Sequence, residues 1–447
     1  MDYKSNSLDI LDDIIGSARD FGAEAADAVM FDSASIEFGV RLGKTEKLER
    51  AESRDLGLRV FIGKRQAVVS STDHSDESLK EMAERCVATA RTAPEDPWCG
   101  LAERSQLENA PPDLDLFDRH EPSIEKIKYT ALEAEDAARS VAGISNSEGA
   151  DVGWSRSNIS LATTTGFSQT YTVTSQSFSA SVLAGEGTEM ERDYDFASAV
   201  HWDDLPSPSS IGRSAGERAV KRLNPKKMST TQAPVIFDPR ISGGLIRHLL
   251  GAINGSAVAR GTSFLKDRLG HQILPPSVSI MEDPRRPRGQ RSKPFDAEGL
   301  PTRAKPLVNE GILETWILDL SSSRQLGCSS TGNASRGTGG PPGPAATNVW
   351  MPAGDASPAG LISDIQKGFY VTELIGMGVN GVTGDYSRGA SGFWIENGAV
   401  TFPVSEMTIA GNLRDMFLAL TPANDLVFKY GNDAPTLRID GMTIAGS

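Results

Sequence analysis

The feature that most constrains the fold is a two-residue alternation of apolar and polar side chains near the start of the chain. The same alternation returns after the polar segment Lys44–Arg54, and Val68 and Val69 follow a turn at Gly63-Lys64. Successive side chains of a strand point to opposite faces, so the pattern predicts antiparallel strands with one buried face. The residues predicted to face the core are Ile36, Phe38, Val40 and Leu42, followed by Leu56, Leu58, Val60 and Ile62.

Helical patterns alternate with these strands. Apolar residues recur at three- and four-residue spacings from about Asp76 to Arg91, from about Ser123 to Val141, and from about Ser209 to Leu223. The first half of the chain is therefore predicted to combine antiparallel strands with long helices.

The chain length of 447 residues is too great for one ordinary core and indicates two domains. We place the boundary at Asn224-Pro225, so that residues 1–225 form an α+β domain. Residues 226–447 form a mainly β domain with a few helices, and the fold class is α+β. The strands predicted in the second domain lie near Gly311–Leu320, Phe369–Leu374, Gly392–Glu396, Val400–Val404 and Thr436–Ile439.

One predicted helix, Ile241–Gly255, carries a single histidine beside its apolar stripe. A zinc hydrolase helix needs a second histidine about one turn later and a glutamate next to the first histidine. Here Leu249 follows His248, and Ala252 and Ile253 occupy the later positions. We therefore assign no catalytic or metal-binding residue, and His248 stays open as a structural histidine, a residue that lines a groove, or a ligand.

Other motifs in the sequence are incomplete. Gly212–Gly216 matches GxSxG, but it lies within a helical pattern and not on a strand-to-helix elbow. Gly332–Thr338 has the glycine spacing of a phosphate loop but lacks the lysine, and Arg336 is the residue there that could bind an anion. No two histidines have helical metal spacing, although a distant pairing of His271 with His248 stays open.

Two unusual segments each allow two interpretations. Gly376–Asn412 is rich in glycine, and Asp385, Tyr386 and Arg388 offer charge and hydrogen bonds within it. It forms either tight turns between core strands or a wall that receives another backbone, as in strand addition at an exposed edge. Pro284–Lys293 is a local basic loop that is either solvated or able to steer an anionic partner.

Charge and hydropathy argue against two classes of partner. The net charge of −14 disfavours nucleic acid, and no run of apolar residues is long enough to cross a membrane. The N-terminal segment is acidic and lacks the basic start of a signal peptide. An N-terminus of this kind predicts a cytoplasmic protein. Cys86, Cys99 and Cys328 are far apart and include no CxxC pair, so we expect no disulfides.

Seven segments spread along the chain carry recognisable motifs: Asn146–Gly149, Ser263–Leu265, Pro294–Asp296, Ser330–Ala334, Val382–Asn397, Pro403–Asn412 and Ile439–Gly446. Together they resemble the TldD/PmbA family, and specifically its PmbA (TldE) branch. The likeness covers nearly the whole chain, and the long motifs near the C-terminus are specific.

The resemblance implies a two-subunit cytoplasmic metallopeptidase that cleaves unfolded peptides. Its TldD-type subunit carries a HExxxH helix, in which two histidines hold zinc together with a later cysteine. On that motif, His248 matches the first histidine, Leu249 the glutamate and Ile253 the second histidine, and the turn Tyr430–Asp433 contains no cysteine. His248 is thus a lone remnant, so zinc is expected in the partner subunit and no cofactor in this chain.

The resemblance therefore implies a non-catalytic subunit that pairs with a TldD-like catalytic subunit and encloses a cavity for unfolded peptides. The branch is associated with maturation of peptide antibiotics and turnover of an antitoxin, and a homodimer is expected for the isolated chain. Two alternatives stay open: a self-sufficient peptidase with an unrecognised site, and a regulatory protein that binds DNA gyrase. The candidate residues of the peptide cavity are His248, Asp385, Tyr386 and Arg388.

Overall fold

The first half of the chain forms one antiparallel sheet with long helices. The computed structural model describes residues 3–446, and its mixture of helices and sheets confirms the predicted α+β class. The strands are β1 Ala25–Arg41, β2 Lys44–Ile62, β3 Arg65–Ser71, β4 Ile144–Thr163, β5 Ser168–Ala184 and β6 Glu191–Ala199. The helices are α1 Tyr3–Asp20, α2 Asp76–Thr92, α3 Ile124–Arg139 and α4 Pro208–Lys221. The strand order is β3-β2-β1-β4-β5-β6, with every neighbouring pair antiparallel.

The two faces of this sheet have different partners. Even-numbered residues of β1, such as Met30 and Phe38, pack against the four helices, with α1 and α2 over one end and α3 and α4 over the other. Odd-numbered residues such as Val29 point the opposite way and pack with Phe295 and Leu320 of the second half. The part of the sheet around Val29 is therefore covered on both faces, by the helices on one side and by the second half on the other.

The polar segment Lys44–Arg54 differs from the expectation because it belongs to a strand. β2 pairs with β1 along its whole length, although the side chains of its outer half are exposed. Backbone groups supply the pairing, so the ladder continues where the apolar alternation stops, and charged side chains protect the exposed edge. Leu42, predicted to face the core, lies instead in the turn after β1 with a φ of 50° and is 48% exposed.

The second half is built mainly from strands, as the sequence predicted. Its strands are β7 Thr231–Phe237, β8 Ile280–Glu282, β9 Lys305–Asn309, β10 Ile312–Leu313, β11 Ala334–Ser335, β12 Gly343–Pro344, β13 Val349–Trp350, β14 Lys367–Ile375, β15 Asp385–Glu396, β16 Ala399–Asn412, β17 Leu420–Pro422, β18 Asn432–Asp433 and β19 Leu437–Ala445. Its helices are α5 Pro239–Ala252, α6 Gly255–Ala259, α7 Leu320–Leu326, α8 Pro358–Ile362 and α9 Leu413–Leu418.

The larger sheet of the second half closes on itself. Its order is β16-β15-β14-β7-β19-β17, and an additional pairing joins β16 to β19. That pairing uses Thr408–Ala410 of β16, so this part of the strand is not a free edge. A second sheet has the order β10-β9-β8-β13-β18. Both sheets contribute to one apolar core, in which the residues of α5 also take part.

The strand predicted at Gly311–Leu320 is mostly wrong. Within it, only Ile312–Leu313 forms a strand, and α7 begins at Leu320. The backbone N–H groups of this segment bond to several separate parts of the chain, including Val278 and Ile253, and not to one neighbouring strand. Apolar alternation alone does not distinguish such a buried irregular segment from a strand, because both place side chains in a core.

A loop of the second half inserts beside β2. A Cβ atom on Gly57 would lie 2.4 Å from the carbonyl oxygen of Thr338, so the two backbones meet closely. The fully buried side chain of Arg336 places Nη1 2.5 Å from Oδ1 of Asp27, and Arg59 binds the other oxygen of that carboxylate. The arginine that the sequence suggested as an anion-binding residue therefore binds an acid of its own chain.

Glu298 lies near Arg59, and its buried carboxyl group makes the stability of the protein depend on pH. Burial raises the pKa of Glu298 to about 8, and the charge of Asp296 adds to the rise while Arg59 opposes it. Above the pKa of an unfolded glutamate, about 4.3, the native state keeps a proton that the unfolded chain has lost. The free energy of unfolding therefore falls as pH rises toward about 8. We expect the urea concentration at the unfolding midpoint to decrease when the pH of the titration is raised from about 5 to about 8.

Substitution of Glu298 separates its contribution from that of other titrating groups. Glu298→Gln removes the ionisation and should reduce the fall of the urea midpoint. Glu314→Gln is the matched control, because Glu314 is exposed and forms no ion pair within residues 3–446. A fall in Glu298→Gln as steep as in the wild type would show that this buried carboxyl does not govern the pH dependence.

Candidate functional site

Helix α5 is positioned by the residues at its two ends. Asp238 accepts a hydrogen bond from the backbone N–H of Arg240 at 2.9 Å, and Pro239 occupies the first turn. At the other end, the N–H of Ile253 donates to the carbonyl oxygen of Leu249 at 2.9 Å. The helix that the spacing predicted is thus present, and its apolar stripe packs into the core of the second half.

The three positions that match the metal-binding motif have different environments. Leu249 is 2% exposed and Ile253 is 0% exposed, and both belong to the apolar core. His248 is partly exposed. Its ring lies 5.9 Å from the ring of Tyr386 in an edge-on arrangement. Only the first of the three positions is therefore accessible to a ligand.

Strand β15 separates the other candidate residues by alternation. Tyr386 and Arg388 share one face of the strand, and Asp385 points to the opposite face. The Asp385 carboxylate accepts hydrogen bonds from Thr383 at 2.6 Å and Asn412 at 3.1 Å, and these bonds lower its pKa. The structure therefore brings Tyr386 and Arg388 together with His248, and it uses Asp385 to hold the preceding turn.

The group around His248 is positively charged. Burial lowers the pKa of His248, and the nearby Arg388 and Arg247 lower it further. Burial also lowers the pKa of Arg247, and Arg291 and Arg388 add to that effect. His248 is consequently neutral at pH 7, and the three arginines supply the local charge.

These residues do not fit a zinc site. Catalytic zinc takes three protein ligands, and positively charged guanidinium groups repel the zinc ion. His248 is one imidazole next to Arg247 and Arg388, and no group of three or more histidine, cysteine, aspartate or glutamate side chains suited to a metal occurs in the described part of the chain. The chemistry of this surface is that of an anion site, because guanidinium groups bind carboxylates and phosphates.

The turn that corresponds to the third ligand of the motif lies against α5. A Cβ atom on Gly243 would lie 2.5 Å from the carbonyl oxygen of Asn432. The side chain of Arg291 covers the same turn, since a Cβ atom on Gly431 would lie 3.0 Å from its Cδ. The fold thus brings the turn next to the helix, although neither provides a metal-ligand set.

Sequence reasoning missed Arg247 and Arg291. Arg247 adjoins His248 in the sequence, and this arginine-histidine pair was the available signal. Arg291 belongs to the basic loop Pro284–Lys293, far along the chain, so only the fold reveals its position.

Two other arginines of the basic loop are neutralised by acids of the first half. Arg285 pairs with Glu108 at 2.7 Å, and Arg288 pairs with Asp115 at 2.6 Å. The loop therefore joins the two halves of the chain. Arg291 is the residue of this loop that contributes charge beside Arg247.

The remaining sequence motifs do not add to this site. Gly212–Gly216 lies within α4, so its serine is not on an elbow. His271 is exposed, with Nδ1 2.9 Å from the carbonyl oxygen of Leu269. Cys86 is buried, Cys328 is exposed, and the three cysteines are unpaired. Within residues 3–446, no helix combines the length and hydropathy needed to cross a membrane.

Family models match three consecutive parts of the chain. They describe PmbA/TldA metallopeptidase domain 1 at residues 26–90, the central domain at residues 118–223 and the C-terminal domain at residues 230–446. The chain is also 37% identical over 443 residues to the metalloprotease PmbA of Escherichia coli O157:H7, covering 98% of this chain and 96% of that protein.

Solved structures share the fold over nearly the whole chain. A putative modulator of DNA gyrase from Bacteroides thetaiotaomicron superposes with a TM-score of 0.90 at 26% identity and covers 98% of each chain. TldE from Thermococcus kodakarensis superposes with a TM-score of 0.86 at 21% identity, covering 98% of this chain and 100% of that one. The resemblance found in the sequence is confirmed: the chain belongs to the PmbA/TldD metallopeptidase family, in its PmbA (TldE) branch.

Proposed function

We propose that this chain is the non-catalytic subunit of a heteromeric zinc metallopeptidase. It pairs with a TldD-like catalytic subunit and helps to enclose a cavity in which unfolded peptides are cleaved. The partner holds the zinc. The observation that supports this proposal most directly is the environment of His248, since Leu249 and Ile253 are core side chains and the neighbouring charges come from arginines.

The physical argument concerns what each residue of the motif must do. A zinc hydrolase needs ligands for the ion and a carboxylate that accepts a proton from the bound water. Leu249 has no group that accepts a proton, and Ile253 has no lone pair for a metal. Because these side chains are buried, the positions contribute to packing and not to chemistry.

The same proposal includes the setting of the complex. We place it in the cytoplasm, in agreement with three unpaired cysteines. The isolated chain forms a homodimer through the surface that meets its homologous partner. Precursors of peptide antibiotics and an antitoxin are the expected substrates, because the PmbA branch is associated with them.

Co-expression with a TldD-like subunit tests the pairing. We expect the two chains to elute together from a gel-filtration column, and we expect cleavage of an unfolded peptide to require both. Zinc analysis of the isolated chain is expected to find far less than one ion per chain. Zinc bound stoichiometrically by this chain alone, together with chelator-sensitive cleavage, would support a self-sufficient peptidase instead.

A regulator of DNA gyrase is the second candidate, since the Bacteroides relative is described as a putative modulator of that enzyme. The discriminating measurement is supercoiling by purified gyrase with and without this chain. A change in supercoiling without any effect of the chain on peptide cleavage would favour the regulator over the peptidase subunit.

A further inference from the structure

Three arginines near His248 share one positively charged region without an acidic partner in the described residues, whereas several other arginines of this half pair with acids. Arg240, at the start of α5, pairs with Asp193 at 2.9 Å, and Arg438 pairs with Asp364 at 2.6 Å. By contrast, Arg247, Arg291 and Arg388 form no ion pair with any residue in the range 3–446. Among the described residues, Arg388 donates only to the carbonyl oxygen of Ile375, at 3.3 Å.

A second and independent observation is the hydroxyl group of Tyr386. The residue is 2% exposed, and its hydroxyl oxygen is buried without a hydrogen-bond partner in the described structure. A buried hydroxyl that lacks a partner costs free energy, so such groups are ordinarily satisfied. Tyr386 lies two residues from Arg388 on the same face of β15 and beside the ring of His248.

We propose that Arg247, Arg388 and Tyr386 form a binding site for a carboxylate, which is the C-terminal carboxylate of an unfolded peptide. Guanidinium groups bind both oxygens of a carboxylate, and a phenolic hydroxyl can donate a third hydrogen bond. Arg291 adds positive charge, because its side chain lies against the Gly431 turn that faces α5. The identification of the carboxylate as part of a peptide rests on the proposed function.

The surface next to Arg388 favours a peptide terminus. Ile375, Met377 and Val382 are 59%, 93% and 54% exposed, and they belong to β14 and to the loop that leads into β15. Arg388 bonds directly to the first of these residues. The terminal carboxylate of a peptide is preceded directly by side chains of its last residues. Exposed apolar side chains next to an anion site can pack against those side chains while the arginines bind the carboxylate.

Fluorescence anisotropy of labelled peptides tests the site in the isolated full-length chain. The probe is an apolar peptide labelled at its N-terminus, made once with a free C-terminal carboxylate and once with a C-terminal amide. We expect the amide to bind about tenfold more weakly, which corresponds to about 1.4 kcal/mol. Inorganic phosphate is expected to compete with the free acid. Equal binding of the two peptides, or no binding of either, would overturn the proposal.

Matched variants assign the binding to these residues. Arg388→Gln and Tyr386→Phe should each weaken the free-acid peptide several-fold and leave the amide nearly unchanged. Arg213→Gln is the control, since Arg213 is an exposed arginine on α4 without an ion pair in the described residues. Thermal melts of all variants show whether they remain folded. Unchanged affinity in folded Arg388→Gln and Tyr386→Phe would place the carboxylate elsewhere and refute the site.

The source of the carboxylate is decided by adding the TldD-like subunit. If Arg388→Gln abolishes pairing and the isolated chain shows no preference for the free acid, the carboxylate comes from the partner subunit and the peptide proposal fails. If the wild-type chains do not pair but the free-acid preference persists, the proposed function fails while the carboxylate site stands. The two proposals therefore fail through different measurements.

Discussion

Asp27→Asn is expected to lower the free energy of unfolding by about 3–5 kcal/mol, because it leaves two buried guanidinium groups without their counter-charge. Asp27 is 1% exposed, the Arg59 side chain is 4% exposed and that of Arg336 is fully buried. The asparagine side chain has nearly the same shape, so the loss reflects charge and hydrogen bonding rather than volume. Urea unfolding at pH 7, followed by circular dichroism, measures the change.

The difference in the free energy of unfolding between the wild type and Asp27→Asn should decrease in acid. Burial alone would raise the pKa of Asp27, but the charges of Arg336 and Arg59 lower it below the usual value. The stabilisation by the carboxylate is therefore complete above the pKa of an unfolded aspartate, about 3.9, and is lost as pH falls through the lower native pKa. The wild type and Asp27→Asn should consequently converge in strong acid.

A double-mutant cycle separates the contributions of the two arginines. Arg336→Met should cost less than Asp27→Asn, because Arg59 still neutralises the carboxylate. The double variant should cost less than the sum of the single variants, since it removes one buried charge of each sign. Strict additivity would show that Arg336 and Asp27 are not coupled, and that the loop of the second half is held by Thr338 and its neighbours alone.

The sequence predicted those parts of the fold that depend on local patterns. Ser75 and Ser123 cap α2 and α3, and the apolar spacings placed α2 to α5 within a few residues of their observed bounds. The outer half of β2 could not be predicted, because its pairing with β1 involves backbone groups that carry no side-chain pattern. The segment after Gly311 shows the opposite case. Its side chains alternate as in a strand, but its backbone groups bond to several separate parts of the chain and form no ladder.

The same distinction applies to the candidate site. The missing ligands at Leu249 and Ile253 were visible in the sequence, and so was the exclusion of a complete metal motif. The roles of Asp385, Tyr386 and Arg388 were not, since strand alternation decides which of them face His248. Arg291 comes close to α5 because its side chain packs on the Gly431 turn, which the fold places against this helix. Whether an arginine lacks an acidic partner also depends on residues that are distant in the sequence.

Restoring the metal motif with Leu249→Glu and Ile253→His is expected to destabilise the chain and not to create a zinc site. Each substitution places a polar group where the native side chain is at most 2% exposed, and the buried glutamate alone should cost at least about 3 kcal/mol. Arg247 and Arg388 oppose a bound cation, and the turn at Tyr430–Asp433 supplies no cysteine. Urea unfolding and zinc analysis of the purified variant measure the two effects.

A conservative single variant shows whether burial of a polar group causes the destabilisation. Leu249→Met keeps the volume and apolar character of the side chain, and it should cost less than about 1.5 kcal/mol. If the double variant instead bound one zinc ion per chain and kept the wild-type urea midpoint, the helix would be a metal site that needs only its ligands. The position of Leu249 and Ile253 within the core argues for the opposite, because side chains that hold the fold together cannot also turn outward to hold an ion.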